Sequence, residues 1–212
     1  MALPAGSSGG GGRTLPARTP AWRADLPVLT TRTAILREVL PRDAAPLAAA
    51  LCRPEVQEYL PVGPTTPEQF ATFIRWVRRE RRAGRYLCFV VVPRDRRTAA
   101  GLFQLWPIEP GFATAEMGFA LDPGCWGTGV FFDGATAVVD FAIDVLGVQR
   151  LECRSAVTNG RGAAALRKLG AVAEGRLRRC FRCPGGLLDH TMWSILREEW
   201  RQHRTGPRVR CA

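Results

Sequence analysis

Lysine is almost missing from this chain of 212 residues: Lys168 stands alone, and the net charge of +11 rests on arginine. No Gly-Lys-Ser/Thr is present, which excludes a Walker A phosphate loop. Long apolar runs are missing too. The longest, Tyr86 to Val92 (YLCFVVV), falls far below the ~20 residues that cross a bilayer, so no membrane span is expected. Histidine is limited to His190 and His203, and neither stands at a zinc spacing from the single C-x-x-C, Cys180 and Cys183. A structural zinc needs four ligands, so no metal is expected. The seven cysteines form an odd set without a repeating framework. No secretory signal precedes them, which predicts reduced thiols and a cytoplasmic protein.

What the chain does have is an apolar content of 46%, enough for one domain of roughly 150 to 180 residues. The opening MALPAGSSGGGGRTLPARTPAW is rich in Gly, Ser and Pro and has no apolar h-region. A disordered leader is expected over residues 1–28, a domain over 29–200 and a basic tail over 201–212. Arginines cluster at Arg78–Arg82, at Arg94–Arg97 and in that tail. Such runs usually form solvated faces. Otherwise they attract an anion: a phosphorylated cofactor, a nucleic acid or an acidic protein.

TAILREVL alternates as a strand, and PRDAAPLAAALC follows as a short helix with Asp43 placed to cap it. After a loop or broken helix from Cys52 to Thr66, a strong helix is predicted with Thr66 as N-cap, Pro67 at its first position and Gly84 as its stop. Phe70, Phe73, Ile74 and Val77 give it an apolar face. RYLCFVVVP, TAAGLFQLWPI and FATAEMGFALDP read as an antiparallel meander. Then come a glycine turn and helix, the strand VQRLECRSAV, a short helix stopped at Gly170, and a hairpin around Pro184, Gly185 and Gly186. The class is α/β (α+β), a mixed, mostly antiparallel sheet of about six to seven strands flanked by helices.

In FATAEMGFAL, Ala113, Ala115, Met117, Phe119 and Leu121 share a core face, leaving Thr114, Glu116, Gly118 and Ala120 on the other. A glycine in mid-strand marks a bulge or a close approach by a ligand or backbone. The strand feeds CWGTGV, where Gly127 and Gly129 precede a helix. Helix N-termini present unpaired N–H groups and partial positive charge, so this turn suits an anion such as a pyrophosphate. G-x-G before a helix is also an ordinary structural turn, and Phe132 stands where a third glycine of G-x-G-x-x-G would be.

Three motifs in series, AEMGFALDP, WGTG and N…LRKLGA, resemble the GNAT superfamily of acyl-CoA N-acyltransferases, and especially its branch similar to ribosomal-protein N-terminal acetyltransferases. The likeness runs from about Leu29 to Trp200 and implies a sheet splayed between its central strands. It also implies acetyl-CoA as the acyl donor, with no metal. The backbone of Phe119, Ala120 and Leu121 would pair with pantetheine, and Trp126, Gly127, Thr128, Gly129, Val130 and Phe131 would cradle the pyrophosphate. Asn159 would contact the cofactor, with Arg161 and Lys168 near its anionic end. Two departures stand out: Phe131 replaces a glycine or alanine, leaving less room for pyrophosphate unless the ring points away, and Gly162 replaces a common serine.

Acylation by a thioester needs a neutral amine held about 3 to 3.5 Å from the carbonyl carbon. Glu116 is the expected general base, directly or through water, with a salt-bridged strand carboxylate as the alternative. The general acid is unassigned: Tyr59 lies where the family's acceptor loop falls, Tyr86 is the other tyrosine, and Ser155 is a weak candidate. No cysteine has a His partner, which fits direct transfer. Asp189 and His190 on the last strand stand beside the expected acceptor cleft. Trp106, Trp126 and Trp193 read as core or cleft walls. The acceptor is a primary amine of a protein N-terminus or a small metabolite, and a homodimer is left open. Two alternatives remain: a scaffold that binds acyl-CoA without turnover, and a basic nucleic-acid binder, against which stands the lack of a basic-aromatic motif.

Overall fold

The computed structural model describes residues 20–205. The chain begins with the helical turn α1 (Ala21–Ala24), the two-residue strand β1 (Leu29–Thr30) and β2 (Ala34–Glu38). Helices α2 (Ala44–Leu51), α3 (Pro54–Gln57) and α4 (Pro67–Arg82) follow, then the meander β3 (Leu87–Pro93), β4 (Gly101–Pro107) and β5 (Thr114–Leu121). The second half holds α5 (Val130–Asp144), β6 (Arg150–Ala156), α6 (Gly160–Leu169), the hairpin of β7 (Val172–Cys183) and β8 (Gly186–Leu196), and α7 (Arg197–Thr205).

The strands form one open sheet in the order β1-β2-β3-β4-β5-β6-β8-β7. Every neighbouring pair is antiparallel except β5 with β6, which is parallel. The sheet is therefore mixed and mostly antiparallel, with eight strands instead of six or seven. The additional one is β1, too short for period-2 alternation to reveal. Each face carries its own core. Phe89, Phe103, Met117, Leu151 and Trp193 pack with α5 and α6 residues such as Val138 and Leu166. Cys88, Val90 and Leu102 pack on the opposite face with Leu47, Phe70, Ile74 and Val77 of α2 and α4.

Local signals explain the elements that frame the site. Thr66 caps α4 by accepting from the Gln69 amide at 3.3 Å, with Pro67 at the first position, where its missing N–H costs nothing. Gly170 ends α6 in the left-handed region, at φ +97°. Asp43 behaves otherwise than expected. It makes no side-chain cap on α2, because its carboxylate accepts from the Leu40 amide at 2.8 Å and pairs with both terminal nitrogens of Arg37.

Three further expectations need correction. The stretch expected as leader through residue 28 includes packed residues, since Trp22 and Leu26 are buried and Trp22 meets Phe112 edge to face at 5.7 Å. Its first part, residues 1–19, lies outside the described residues. The tail expected from residue 201 begins inside α7; residues 206–212, with Cys211, also lie outside them. The arginine run at Arg78–Arg82 is only partly a solvated face, because Arg81 is 1% exposed.

Candidate active site

Strands β5 and β6 pair only through Thr114, Ala115 and Glu116, opposite Arg150, Leu151 and Glu152. Beyond Glu116 they part, although β5 remains paired with β4 as far as Leu121 and β6 with β8 as far as Ala156. The C-terminal half of β5 thus has a strand on one side only. An edge of this kind carries backbone groups able to pair with an extended ligand. Phe119 and Ala120 lie along it, both half-buried. The Leu121 carbonyl accepts the Trp126 indole N–H at 3.1 Å.

The glycine turn follows β5 and is tied to the end of that strand by the same indole bond. Gly127 and Gly129 have φ of +75° and +88°, a region that L-residues with a Cβ enter at a cost. The first helical bond of α5 runs from the Asp133 amide to the Gly129 carbonyl at 3.0 Å, and no side chain caps the helix. The amides of Val130, Phe131 and Phe132 therefore precede the helical ladder, where the macrodipole is positive. Thr128 turns its hydroxyl to the Cys125 carbonyl at 2.8 Å. Phe131 does not obstruct the turn: its ring packs inward, 4.8 Å from Phe119 and 5.8 Å from Phe103.

Three cations flank these amides. The Arg161 guanidinium lies 3.9 Å over the Trp126 ring, and Lys168 Nζ is 5.4 Å from the Phe132 ring. Arg32, which the sequence reading passed over, reaches Asp133 at 3.5 Å with its side chain 78% exposed. It comes from the turn between β1 and β2, and only long-range packing brings that turn to α5. Unpaired amides, glycine backbone and three cations are a donor set that fits a diphosphate.

Asn159 is the N-cap of α6, accepting from the Gly162 amide at 2.8 Å. A Cβ at position 162 would stand 2.8 Å from the Asn159 amide nitrogen. Glycine in place of serine is therefore linked to the way Asn159 folds over the helix start.

Glu116 is 8% exposed, on the sheet face opposite α5. Burial raises its pKa; Arg154, with Nε at 3.3 Å, pulls it down, and Glu152 adds a smaller push upward. The Arg154 contact is an ion pair without hydrogen-bond geometry, since its Nε has no hydrogen-bond partner. Trp106 stands opposite Glu116 in the β4–β5 register and stacks on Tyr86 at 5.6 Å, nearly parallel. A Cβ on Gly118 would be 3.2 Å from the Trp106 ring. The mid-strand glycine thus makes room for this indole. Tyr86, half-buried, has its pKa pushed up chiefly by desolvation, with smaller pushes from Cys88 and Glu116.

Of the other predicted residues, His190 lies on the Glu116 face, opposite Ala156 in the β6–β8 register and near enough to Arg154 to feel its charge. Tyr59 follows α3 and has its pKa raised, first by a hydrogen bond with Glu58, with Arg161 near enough to oppose the shift. His190 is buried against Phe181 at 4.8 Å, and desolvation lowers its pKa. Asp189 pairs with Arg176 at 2.6 Å and accepts from the Arg179 amide at 2.7 Å, at the irregular stretch of β7 where Arg179 has φ +48°. Ser155 sits on the face under α5 and α6, accepting from the Trp193 indole at 2.9 Å. Replacement of Ser155 by alanine should cost about 1 to 2 kcal/mol of stability through the orphaned indole and leave turnover unaltered. A urea titration beside an initial-rate assay checks both, and a selective loss of turnover would return Ser155 to the site.

Among the described residues no group of His, Cys, Asp and Glu could hold a metal, and no helix is long and apolar enough to cross a membrane. Residues 34–172 match the family described as "Acetyltransferase (GNAT) domain". The chain is 25% identical over 173 residues to the "Uncharacterized N-acetyltransferase p20" of Bacillus licheniformis, across 81% of this chain and 97% of that protein. Its fold is similar to the ribosomal-protein-S5-alanine acetyltransferase of Vibrio fischeri, with a TM-score of 0.73 and 20% identity over 82% of this chain and 98% of that one. It is also similar to Mycobacterium smegmatis RimJ in complex with CoA-disulfide, with a TM-score of 0.74 and 23% identity over 81% and 88%.

Proposed function

This chain belongs to the acetyltransferase (GNAT) domain family, and on that premise we propose that it transfers an acetyl group from acetyl-CoA directly to a primary amine, at a protein N-terminus or on a small metabolite. The observation that carries the reading is the uncapped start of α5, set beside the gap where β5 and β6 part. In support, the similar RimJ of Mycobacterium smegmatis binds CoA as its disulfide.

In this reading the amides from Gly127 to Phe131 and the cations Arg32, Arg161 and Lys168 hold the diphosphate. The exposed backbone of Phe119 and Ala120 aligns pantetheine, with the Leu121 carbonyl shared with the Trp126 indole. Asn159 braces the start of α6 close to the same groove. The acceptor approaches from the other face. Glu116 takes the proton from the amine, directly or through one water, as its nitrogen attacks the thioester carbonyl. Expulsion of the CoA thiolate completes the transfer without a covalent enzyme intermediate. Phe131 and Gly162 are the two departures that favour a scaffold without turnover. The inward ring of Phe131 and the Asn159 amide over Gly162 supply structural reasons for both residues.

Gly129→Leu tests the cofactor site. The substitution places a side chain at φ +88° across the approach to the amides, and CoA affinity by calorimetry should fall about 10-fold or more, which is about 1.4 kcal/mol. Unchanged affinity in a folded variant would put the cofactor elsewhere. Release of free CoA thiol across a panel of amines tests the transfer itself.

A further inference from the structure

A ladder of rings leads to Glu116 along the acceptor face. Phe73 of α4 meets Trp76 at 6.1 Å, Trp76 meets Tyr86 at 4.8 Å, and Tyr86 stacks on Trp106 at 5.6 Å. Trp106 in turn covers Gly118, next along that face from Glu116. Trp76, Tyr86, Trp106 and Pro107, with Glu80 and Arg85, line a shallow, open depression of about 400 Å³. Trp76 remains 37% exposed, and Tyr86 and Trp106 are half-buried. These rings therefore present surface to solvent as well as serving the core.

The rim sets the chemistry of an occupant. Glu80 is 8% exposed and is held by Arg85 at 2.7 Å and Arg79 at 3.2 Å. Its charge is already answered on both sides, so it offers little to a cationic ligand. What the depression offers is planar apolar surface, which aromatic groups cover with a preference for stacked or edge-to-face geometry. The cross-strand pairing of Trp106 with Glu116 places one wall of that surface directly across from the proposed base.

We infer that the depression lined by Trp76, Tyr86 and Trp106 is the acceptor's side-chain subsite, and that the preferred amines carry an aromatic or other planar apolar group close to the reacting nitrogen. The inference rests on the transferase reading above and deepens it. Seating the planar group on the rings fixes the amine beside Glu116, and an amine without such a group lacks this anchor.

The test compares phenylalaninamide with alaninamide, two amines that differ by one ring, using the wild-type chain and Trp76→Ala. Trp76 lies on the exposed side of α4, and circular dichroism with CoA calorimetry verifies that the variant is folded and loaded. The wild type should favour phenylalaninamide about 10-fold or more in kcat/KM, expressed mainly in KM. Trp76→Ala should shrink that ratio severalfold, and Trp76→Phe should restore most of it. A wild type that uses both amides equally, or only amines without a planar group, overturns the subsite and leaves the transferase reading standing. So does a ratio unaltered by Trp76→Ala. Failure of every amine to release CoA thiol overturns both.

Discussion

Glu116→Gln should lower turnover by about 10²- to 10⁴-fold, the usual contribution of a positioned base, with CoA affinity nearly unchanged. Glutamine keeps the shape and the polar contact to the cleft but cannot accept a proton. The pH profile carries a second signature. Burial raises the Glu116 carboxyl against the opposing pull of Arg154, and a base acts only when ionised. Wild-type turnover should therefore climb as pH rises through that raised value, and the limb should vanish in the variant. Stability should move the other way. The native carboxyl keeps its proton to higher pH than the unfolded chain does, so native stability is lost as pH rises between the two values. Removing the charge should then leave the variant no less stable at neutral pH. Loss of activity with intact melting would locate the defect in chemistry; full activity would remove Glu116 from the mechanism.

The route to Glu116 was legible because strand alternation is local. Period 2 in FATAEMGFAL set Glu116 apart from Ala115 and Met117, and the structure places it on the face opposite α5. The same reasoning separates Arg154, on the Glu116 side, from Ser155 beneath the helices, once β6 is in register with β8. That register depends on a parallel partner and a hairpin distant in sequence. The glycine turn was legible for the same local reason: Gly127 and Gly129 take the positive φ that their residue type permits. Arg32 and the Trp76–Tyr86–Trp106 ladder were not. Each depends on which distant segment lies across the sheet, and no periodicity within a window reports that. Phe131 shows both limits: its departure from the expected small residue was visible, whereas the direction of its ring was decided by Phe103 and Phe119 on neighbouring strands.

Arg81→Met should destabilise the chain by about 3 to 5 kcal/mol, the usual cost of breaking a buried charged contact. Within RRERR Arg81 is set apart only by its place four residues after Val77, on the buried face of α4, where it is 1% exposed while Arg75, Arg79 and Arg82 face solvent. Its Nε meets Glu38 at 3.0 Å, and its Nη1 donates to the carbonyls of Trp22 and Arg23 at 3.2 and 2.6 Å. Those carbonyls end α1, where no intrahelical donor reaches them, so the guanidinium ties residues 20–25 to α4 and β2 at once. Methionine would fill much of the same space but leave two carbonyls and part of the Glu38 charge unanswered. Arg78, 3.4 Å from Glu38, can compensate only that last loss. Against a typical native stability of about 5 to 15 kcal/mol, the loss should appear as a large fall in the urea midpoint. It should also loosen Trp22 from Phe112, read as a red shift of tryptophan emission before global unfolding. A midpoint shift worth less than about 1 kcal/mol, the scale of an exposed ion pair, would mean that Arg81 does not anchor the N-terminal segment.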